Sequence, residues 1–385
     1  PDTVIRLLVV GTFLTLLTFW LHRRYVRAPE LRGPAAIAAT TVLVAGAALT
    51  LTASLVGTTL DPAWARPLGY LGWTWLAVLL YLTLWAVVIG LTRLANRLSW
   101  SLRRTERPTA PSRRRTLRIA TAVAALTSVT AVAYGTVEAS HPRIAHVRVP
   151  LQRLPAEFDG LRVALVTDLH VGPARGADFT RKVVDLVAGE NPDLIVLGGD
   201  LSDGTIARVA ADLEPLRDLD APLGVFGVSG NHEYYSDDAL AWLDHWETLG
   251  VQTLRNEHVT LTRGADSIDI AGVYDWTAPA PHEADLAAAL DGRDPNRFVL
   301  LVAHQPRQVL DAAELGVDLQ LSGHTHGGQM WPLGLFVPLA NPSVTGLDRF
   351  DDTTLYTSRG AGAWGPPVRV ATPPEITILE LVTEP

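Results

Sequence analysis

The chain has 385 residues, 48% hydrophobic and only 19% charged, a length that allows two or three domains. Its charge is unevenly placed: residues 1–148 hold 17 basic and 5 acidic side chains, residues 149–385 hold 15 and 35, so +12 precedes −20. This split excludes a disordered chain, a collagen-like chain and a single uniform globule, and the lack of cysteine excludes disulfides, thiolate zinc sites, iron–sulfur clusters and cysteine nucleophiles.

Four apolar stretches come first, at about Val4–Leu21, Ala35–Leu55, Tyr70–Leu91 and Ile119–Val137. The last three contain no charged side chain and the first contains only Arg6. A bilayer-spanning helix takes about 17–25 residues, so all four qualify, the first most narrowly. The small residues of the second and fourth suit close helix contacts. Loop 22–34 carries four arginines and loop 92–118 carries nine, whereas loop 56–69 carries only Arg66, offset by Asp61. The positive-inside rule therefore puts the first and third loops in the cytoplasm and both ends of the chain outside. Uncharged spans without paired broken helices favour an anchor over a transporter. Topology also accounts for the arginine-rich loop, so no nucleic-acid partner is expected.

Beyond the last span the pattern is α/β. Strands are expected at Val147–Leu151, Leu161–Thr167, Leu194–Leu197, Val225–Val228, Phe298–Ala303 and Leu319–Ser322, with late strands at 354–358 and 375–382. Helices are expected at 177–189, 205–219, 237–249, 283–290 and 307–315, and period-two alternation over 252–273 reads as antiparallel strands. Such alternation means β-α-β units and a largely parallel core. The expected division is 1–140 for the anchor and 141–385 for the second domain.

Ligands collect at the carboxyl ends of strands in sheets of this kind. Those ends carry, in order, Asp168-Leu-His170, Gly-Gly-Asp200, Gly-Asn231-His232-Glu233, His304 and Gly-His324-Thr-His326-Gly-Gly. The first three motifs are 32 and 31 residues apart, one β-α-β unit each. Oxygen and imidazole donors without thiolate suit Mn²⁺, Fe and Zn²⁺. Seven donors exceed one ion's needs, and two ions sharing a carboxylate would use them all. A structural explanation would need five separate coincidences.

These motifs, D-x-H, G-D, G-N-H-[DE], H and G-H-x-H in order, resemble the calcineurin-like metallophosphoesterase superfamily over about Ile144–Thr383. Phe158-Asp-Gly-Leu-Arg162, Tyr234-Tyr235, Gly327-Gly-Gln329, Ser358-Arg-Gly-Ala-Gly362 and Pro373-Pro-Glu-Ile376 resemble its bacterial membrane-associated branch, typified by YkuE and YaeI. The resemblance implies an α/β sandwich of two facing mixed sheets flanked by helices, four layers in all, here preceded by a four-helix transmembrane region. It implies one metal on Asp168, His170, Asp200 and His326, and a second on Asp200, Asn231, His304 and His324, with Asp200 bridging. His232 would not be a ligand; it would contact the phosphate and protonate the leaving oxygen. The activity implied is phosphate-ester hydrolysis, diesters favoured, by in-line attack of a hydroxide bridging two divalent ions, with Mn²⁺ first among them. Asn231, His232 and Arg359 would meet the substrate, although Arg359 could instead brace its own turn.

Location beside the bilayer favours lipid or cell-envelope substrates, lipid-linked phosphates included; no protein partner is read from the residues. The alternative is a sensor or scaffold that keeps the fold without turnover. Asp203 and Asp275 read first as turn or capping residues, and second as supports for the ligands. The run Met330–Leu339 is unusually apolar for a loop. Burial in the domain core is its first expectation, and a cleft for a lipid tail or a dip toward the bilayer its second.

Overall fold

The computed structural model describes residues 2–103 and 109–384. It opens with four long helices, α1 (Asp2–His22), α2 (Gly33–Ala53), α3 (Pro62–Arg103) and α4 (Ala110–Ala139). Among the described residues three of them, α2, α3 and α4, are long and apolar enough to cross a membrane. Val42, Val44, Val87, Leu91, Leu126 and Val137 face outward, as helices solvated by hydrocarbon require. Small residues seat the helices on one another. Gly46 lies against the Trp75 indole, where a Cβ would stand 2.1 Å from the ring. The Thr50 hydroxyl donates to the Gly72 carbonyl at 2.8 Å. Both helices flanking the arginine-rich loop run further than expected, since Leu, Arg and Ala sustain a helix where apolarity ends. The rest of that loop, 104–108, lies outside the described residues.

The second region is built on two mixed sheets. One has the strand order β1 (Arg143–Leu151), β12 (Glu375–Thr383), β2 (Leu161–Val166), β3 (Leu194–Leu197), β4 (Val225–Gly227) and β5 (Gln252–Thr253). The other has β10 (Gly346–Phe350), β11 (Thr353–Thr357), β9 (Leu319–Ser322), β8 (Val299–Val302), β7 (Asp266–Gly272) and β6 (Glu257–Arg263). β2 to β5 run parallel, as do β7, β8, β9 and β11; β12–β2, β6–β7 and β10–β11 are antiparallel.

Three apolar layers hold this together. Leu165, Val196, Phe226, Ile270, Leu300 and Leu321 meet between the sheets. α5 (Ala177–Glu190), α6 (Ile206–Leu213) and α8 (Ala239–Thr248) cover the outer face of the first sheet through Val183, Val209 and Trp242. α9 (Leu286–Ala289) and α10 (Val309–Glu314) cover the second through Ala289 and Ala312. α7 (Asn231–Ser236), which begins on a motif residue, and the exposed strand β10 were not foreseen, and β5, at the start of the run expected to be antiparallel, pairs parallel to β4 in the first sheet.

The helical region and the sandwich are in direct contact. Arg66 on α3 pairs with Asp212 and donates through Nε to the Gly172 carbonyl. Gly135 on α4 accepts from the Arg369 amide at 2.9 Å, and the Tyr81 hydroxyl donates to the Trp331 carbonyl at 2.9 Å.

Gly135→Val tests this seat, because a Cβ there would stand 2.5 Å from Val368 and 3.0 Å from the Arg369 carbonyl. Overpacking of this kind costs about 1–3 kcal/mol. Thermal unfolding of the full chain in detergent should show a midpoint several degrees lower; an unchanged midpoint would mean that the two regions merely touch.

Candidate metal centre

Every expected ligand sits just past a strand. Asp168 and His170 follow β2, Asp200 follows β3, and Asn231 opens α7 after β4. His304 follows β8, and His324 and His326 follow β9, so the two sheets contribute jointly at one edge. Asp168, His170, Asp200, His324 and His326 all have positive φ, between 48° and 71°. A non-glycine residue pays roughly 1–2 kcal/mol for that conformation, and it persists where the surroundings leave no choice. Here the Asp168 amide donates to Gly199, the His170 amide to Asp200, and the Gly362 amide to Asp168, at 3.0, 3.1 and 2.8 Å. Two glycines are imposed by crowding. A Cβ at Gly230 would lie 2.2 Å from Asp200 Oδ1, and one at Gly323 would lie 2.2 Å from Asp168 Oδ2.

The side chains form three overlapping donor groups: Asp168, His170 and His326; His170, Asp200 and His232; Asp200, His304 and His324. His170 Nε2 is 3.0 Å from His326 Nε2, which is 3.3 Å from Asp168 Oδ1. On the other side, His304 Nε2 is 3.2 Å from both Asp200 Oδ2 and Asn231 Oδ1, and His324 Nδ1 is 2.9 Å from Asn231 Oδ1. Ligands about 2.0–2.2 Å from one ion stand roughly 3.0–3.5 Å from each other. The donor set therefore fits divalent metal, and Asp200 belongs to two of its three groups. Ring orientation is held from behind: His304 donates Nδ1–H to the Gly198 carbonyl at 2.7 Å, and His170 Nδ1 lies 2.9 Å from Asp203. Such supports leave Nε2 as the ligating atom.

His232, expected not to be a ligand, belongs to the second of the three donor groups, its ring 4.6 Å from that of His170 and its Nδ1 2.7 Å from Asp203 Oδ1. Burial alone would lower its pKa, but the charges of Asp203 and Asp200 raise it to about 10. Burial likewise works against the charge on Asp203, and the two histidines hold its carboxyl well below the ordinary range. Asp200 is also pulled well down, against burial, by His304 first and then His232. His326 moves the other way. Burial and then the Arg369 cation push it well below the usual imidazole value, the neutral form that a metal ligand needs.

A profile of calcineurin-like phosphoesterases matches residues 161–328. The chain is 34% identical over 333 residues to a transmembrane protein with metallophosphoesterase domain of Danio rerio, covering 83% of this chain and 74% of that one. The chain belongs to the calcineurin-like metallophosphoesterase family. An uncharacterized metallophosphoesterase of Aquifex aeolicus is 31% identical across 65% of this chain and 95% of its own. YkuE of Bacillus subtilis, named metallophosphoesterase, is 30% identical across 59% of this chain and 81% of its own. The vertebrate relative shows that the likeness extends beyond the bacterial branch.

Residues outside the donor set hold this metallophosphoesterase site, Glu233 and Arg369 without being expected to. Asp203 follows its second expectation rather than its first: it joins His170 to His232. Glu233 is fully buried and accepts the amides of Asp200, Leu201, Ser202 and Gly230, tying the loop after β3 to the start of α7. Burial and the Asp200 charge raise it to about 7. Arg369 is fully buried and donates to the carbonyls of His326, Arg359, Gly360 and Gly362, caging the last ligand loop. Arg359 Nε and Nη2 are committed to Glu375, so it braces its turn. Asp275 accepts from Thr277 and Gln305, a turn role as first expected.

Met330–Leu339 departs from its first expectation. Met330 is buried among the helices rather than in the domain core, and Trp331, Leu335, Phe336 and Leu339 are exposed. Two cavities reach the site. One, of 480 Å³, runs from His232, His324 and His326 past Leu333, Phe336 and Val337. The other, of 290 Å³, lies between Val56 and Trp73 of the helical region and His170, Arg175 and Asp203. His232, Tyr235 and Trp364 line both.

Two substitutions separate support from ligation. Asp203→Asn should keep the fold and weaken divalent-metal binding about 10–100-fold by calorimetry. In Glu233→Gln the amide turns its own donors toward two of the four amides that the carboxylate accepts. Each orphaned donor should cost about 1–3 kcal/mol in thermal unfolding; a stable Glu233→Gln protein would show that the four bonds are incidental.

Proposed function

We propose that the protein is a membrane-anchored phosphodiesterase, residues 1–140 forming a four-span anchor and residues 141–385 a catalytic domain outside the cytoplasm. The observation that carries this reading is the convergence of Asp168, His170, Asp200, Asn231, His304, His324 and His326 at coordination spacing beside His232 and its Asp203 partner. The family supports phosphoester chemistry, and the arginines of loops 22–34 and 92–118 support the orientation.

Asp168, His170, Asp200 and His326 would hold one ion, and Asp200, Asn231, His304 and His324 the other, Mn²⁺ being favoured by this oxygen-and-imidazole set. Bound there, two divalent ions supply Lewis-acid polarisation of the phosphate and bring an attacking water's pKa toward neutrality. The chain's own residues do the rest. Asp203 holds His232 charged and oriented through Nδ1, leaving Nε2–H for the leaving oxygen. Hydrolysis forms one new P–O bond to water and breaks one ester P–O bond; the alcohol leaves with the His232 proton, and the proton released by water restores the imidazolium. Asn231 and His232, on one short helix, orient the phosphate between the two donor groups. Two cavities meeting at His232 suit a phosphate with two ester arms better than a monoester.

The test is hydrolysis of bis-p-nitrophenyl phosphate by the full chain with Mn²⁺ and with EDTA. Activity should require metal and be lost in Asp200→Asn, while His232→Ala should slow turnover about 10²–10⁴-fold. Turnover that survives EDTA, or none despite two bound ions per chain, would sink the reading.

A further inference from the structure

We propose that the segment Met330–Leu339 lies in the bilayer and that the 480 Å³ cavity beside it takes the hydrocarbon tail of a membrane-borne phosphodiester. The substrate would then reach the metal centre sideways, without leaving the lipid. This inference rests on the phosphodiesterase reading above and specifies its substrate.

The depth of the segment is the first argument. Met330 is buried in one cluster with Val78, Leu79 and Leu82 of α3 and Val132 of α4, and Leu333 packs against the same cluster. Trp331 is tied there by the Tyr81 hydroxyl. Tyr81 lies eleven residues beyond Tyr70, where the apolar stretch of α3 begins. At 1.5 Å per residue this is about 16 Å along the helix, near the middle of an apolar stretch. A segment fastened at that level shares the surroundings of the helix.

Composition agrees with the position. Trp331, Leu335, Phe336 and Leu339 are 61%, 70%, 58% and 84% exposed, four large apolar side chains within nine residues. A patch of this kind on a water-facing surface would be an association site; here it continues the lipid-facing surface of the helices.

The cavity supplies the path. Its walls change along its length from His232, His324 and His326 to Leu333, Phe336 and Val337, so a phosphate at the donor groups would have its apolar arm against the segment. A tail moving from bilayer to this cleft exchanges one hydrocarbon surrounding for another, whereas a site away from the membrane would expose it to water. The other arm would occupy the 290 Å³ cavity, where buried Arg175 donates to the Ala363 carbonyl and its guanidinium feels the charge of Asp203 without a direct ion pair. That cation suits a polar headgroup.

The absence of cysteine makes the depth measurable. Leu339→Cys in the full chain, labelled with a polarity-sensitive fluorophore in phosphatidylcholine nanodiscs, should emit blue-shifted and be quenched by doxyl-labelled lipid. Leu310→Cys on α10, also exposed, should show neither effect. The catalytic arm compares two diesters with one leaving group, hexadecyl p-nitrophenyl phosphate in nanodiscs and its methyl analogue in solution. Leu335→Asn with Leu339→Asn should raise KM for the tailed ester about tenfold or more and leave the methyl ester within about twofold. Water-like emission at Leu339, or equal use of both esters by the unsubstituted chain, overturns the inference. Failure to hydrolyse either ester overturns the phosphodiesterase reading instead, and the fluorescence result remains decisive for the depth.

Discussion

Two carboxylates, Asp168 and Asp200, lie almost wholly buried where the two sheets adjoin, and most of the surrounding architecture answers to them. A buried anion is strongly unfavourable unless charge and hydrogen bonds compensate it. The compensation comes from several directions: the Thr167 hydroxyl and the His324 amide on Asp168, the His232 amide and the His304 ring on Asp200. Both carboxylates, and the His324 amide among their partners, sit on strand-end loops held out of ordinary conformations. Five donor residues therefore take left-handed backbone, and Glu233 and Arg369, neither of them in the donor set that the motifs identified, hold the loops that carry them. The strain at the donors and the buried network behind them are two sides of one requirement.

The same economy extends to the helical region. Gly135 receives the Arg369 amide, so the residue that cages the His326 loop is itself seated on α4. Val56 and Trp73 wall one cavity beside His232, and Met330, four residues beyond His326, is buried among α3 and α4. The helical region and the site thus share contacts. A substitution on α3 or α4 can therefore reach the metal centre through packing alone.

Particular elements show why some of this was legible beforehand. Leu194–Leu197 and Leu319–Ser322 end where the residue pattern ends them, because a short apolar run followed by a ligand or glycine has no alternative partner. The helix at Ala177–Glu190 also follows its periodicity. β10 was missed because its sequence, Gly-Leu-Asp-Arg-Phe, lies at a sheet edge with little burial to pattern it. The helix expected over 283–290 shrank to Leu286–Ala289, and the loop expected at 92–118 became largely helical. In the first case local composition was weak and packing decided; in the second the helix propensity of Leu, Arg and Ala carried α3 and α4 beyond their apolar stretches. Asp203 carried a faint signal, being three residues after Asp200, but nothing in its spacing distinguished a histidine support from a turn residue. Arg369 carried none.

By itself the sequence determined which atoms were available: seven oxygen and imidazole donors after five strands, no thiols, an acidic domain and apolar helices ahead of it. These are properties of residue type and spacing, and strand periodicity is enough to place them at one edge of a sheet. Only the tertiary structure decided that the edge is shared by two sheets, that Glu233 and Arg369 face inward, and that Met330–Leu339 leaves the domain core for the helices. Each of those outcomes depends on contacts between residues far apart in the chain. A buried cation beside carbonyls and an exposed loop beside an apolar helix are defined by their surroundings, and folding alone supplies the surroundings.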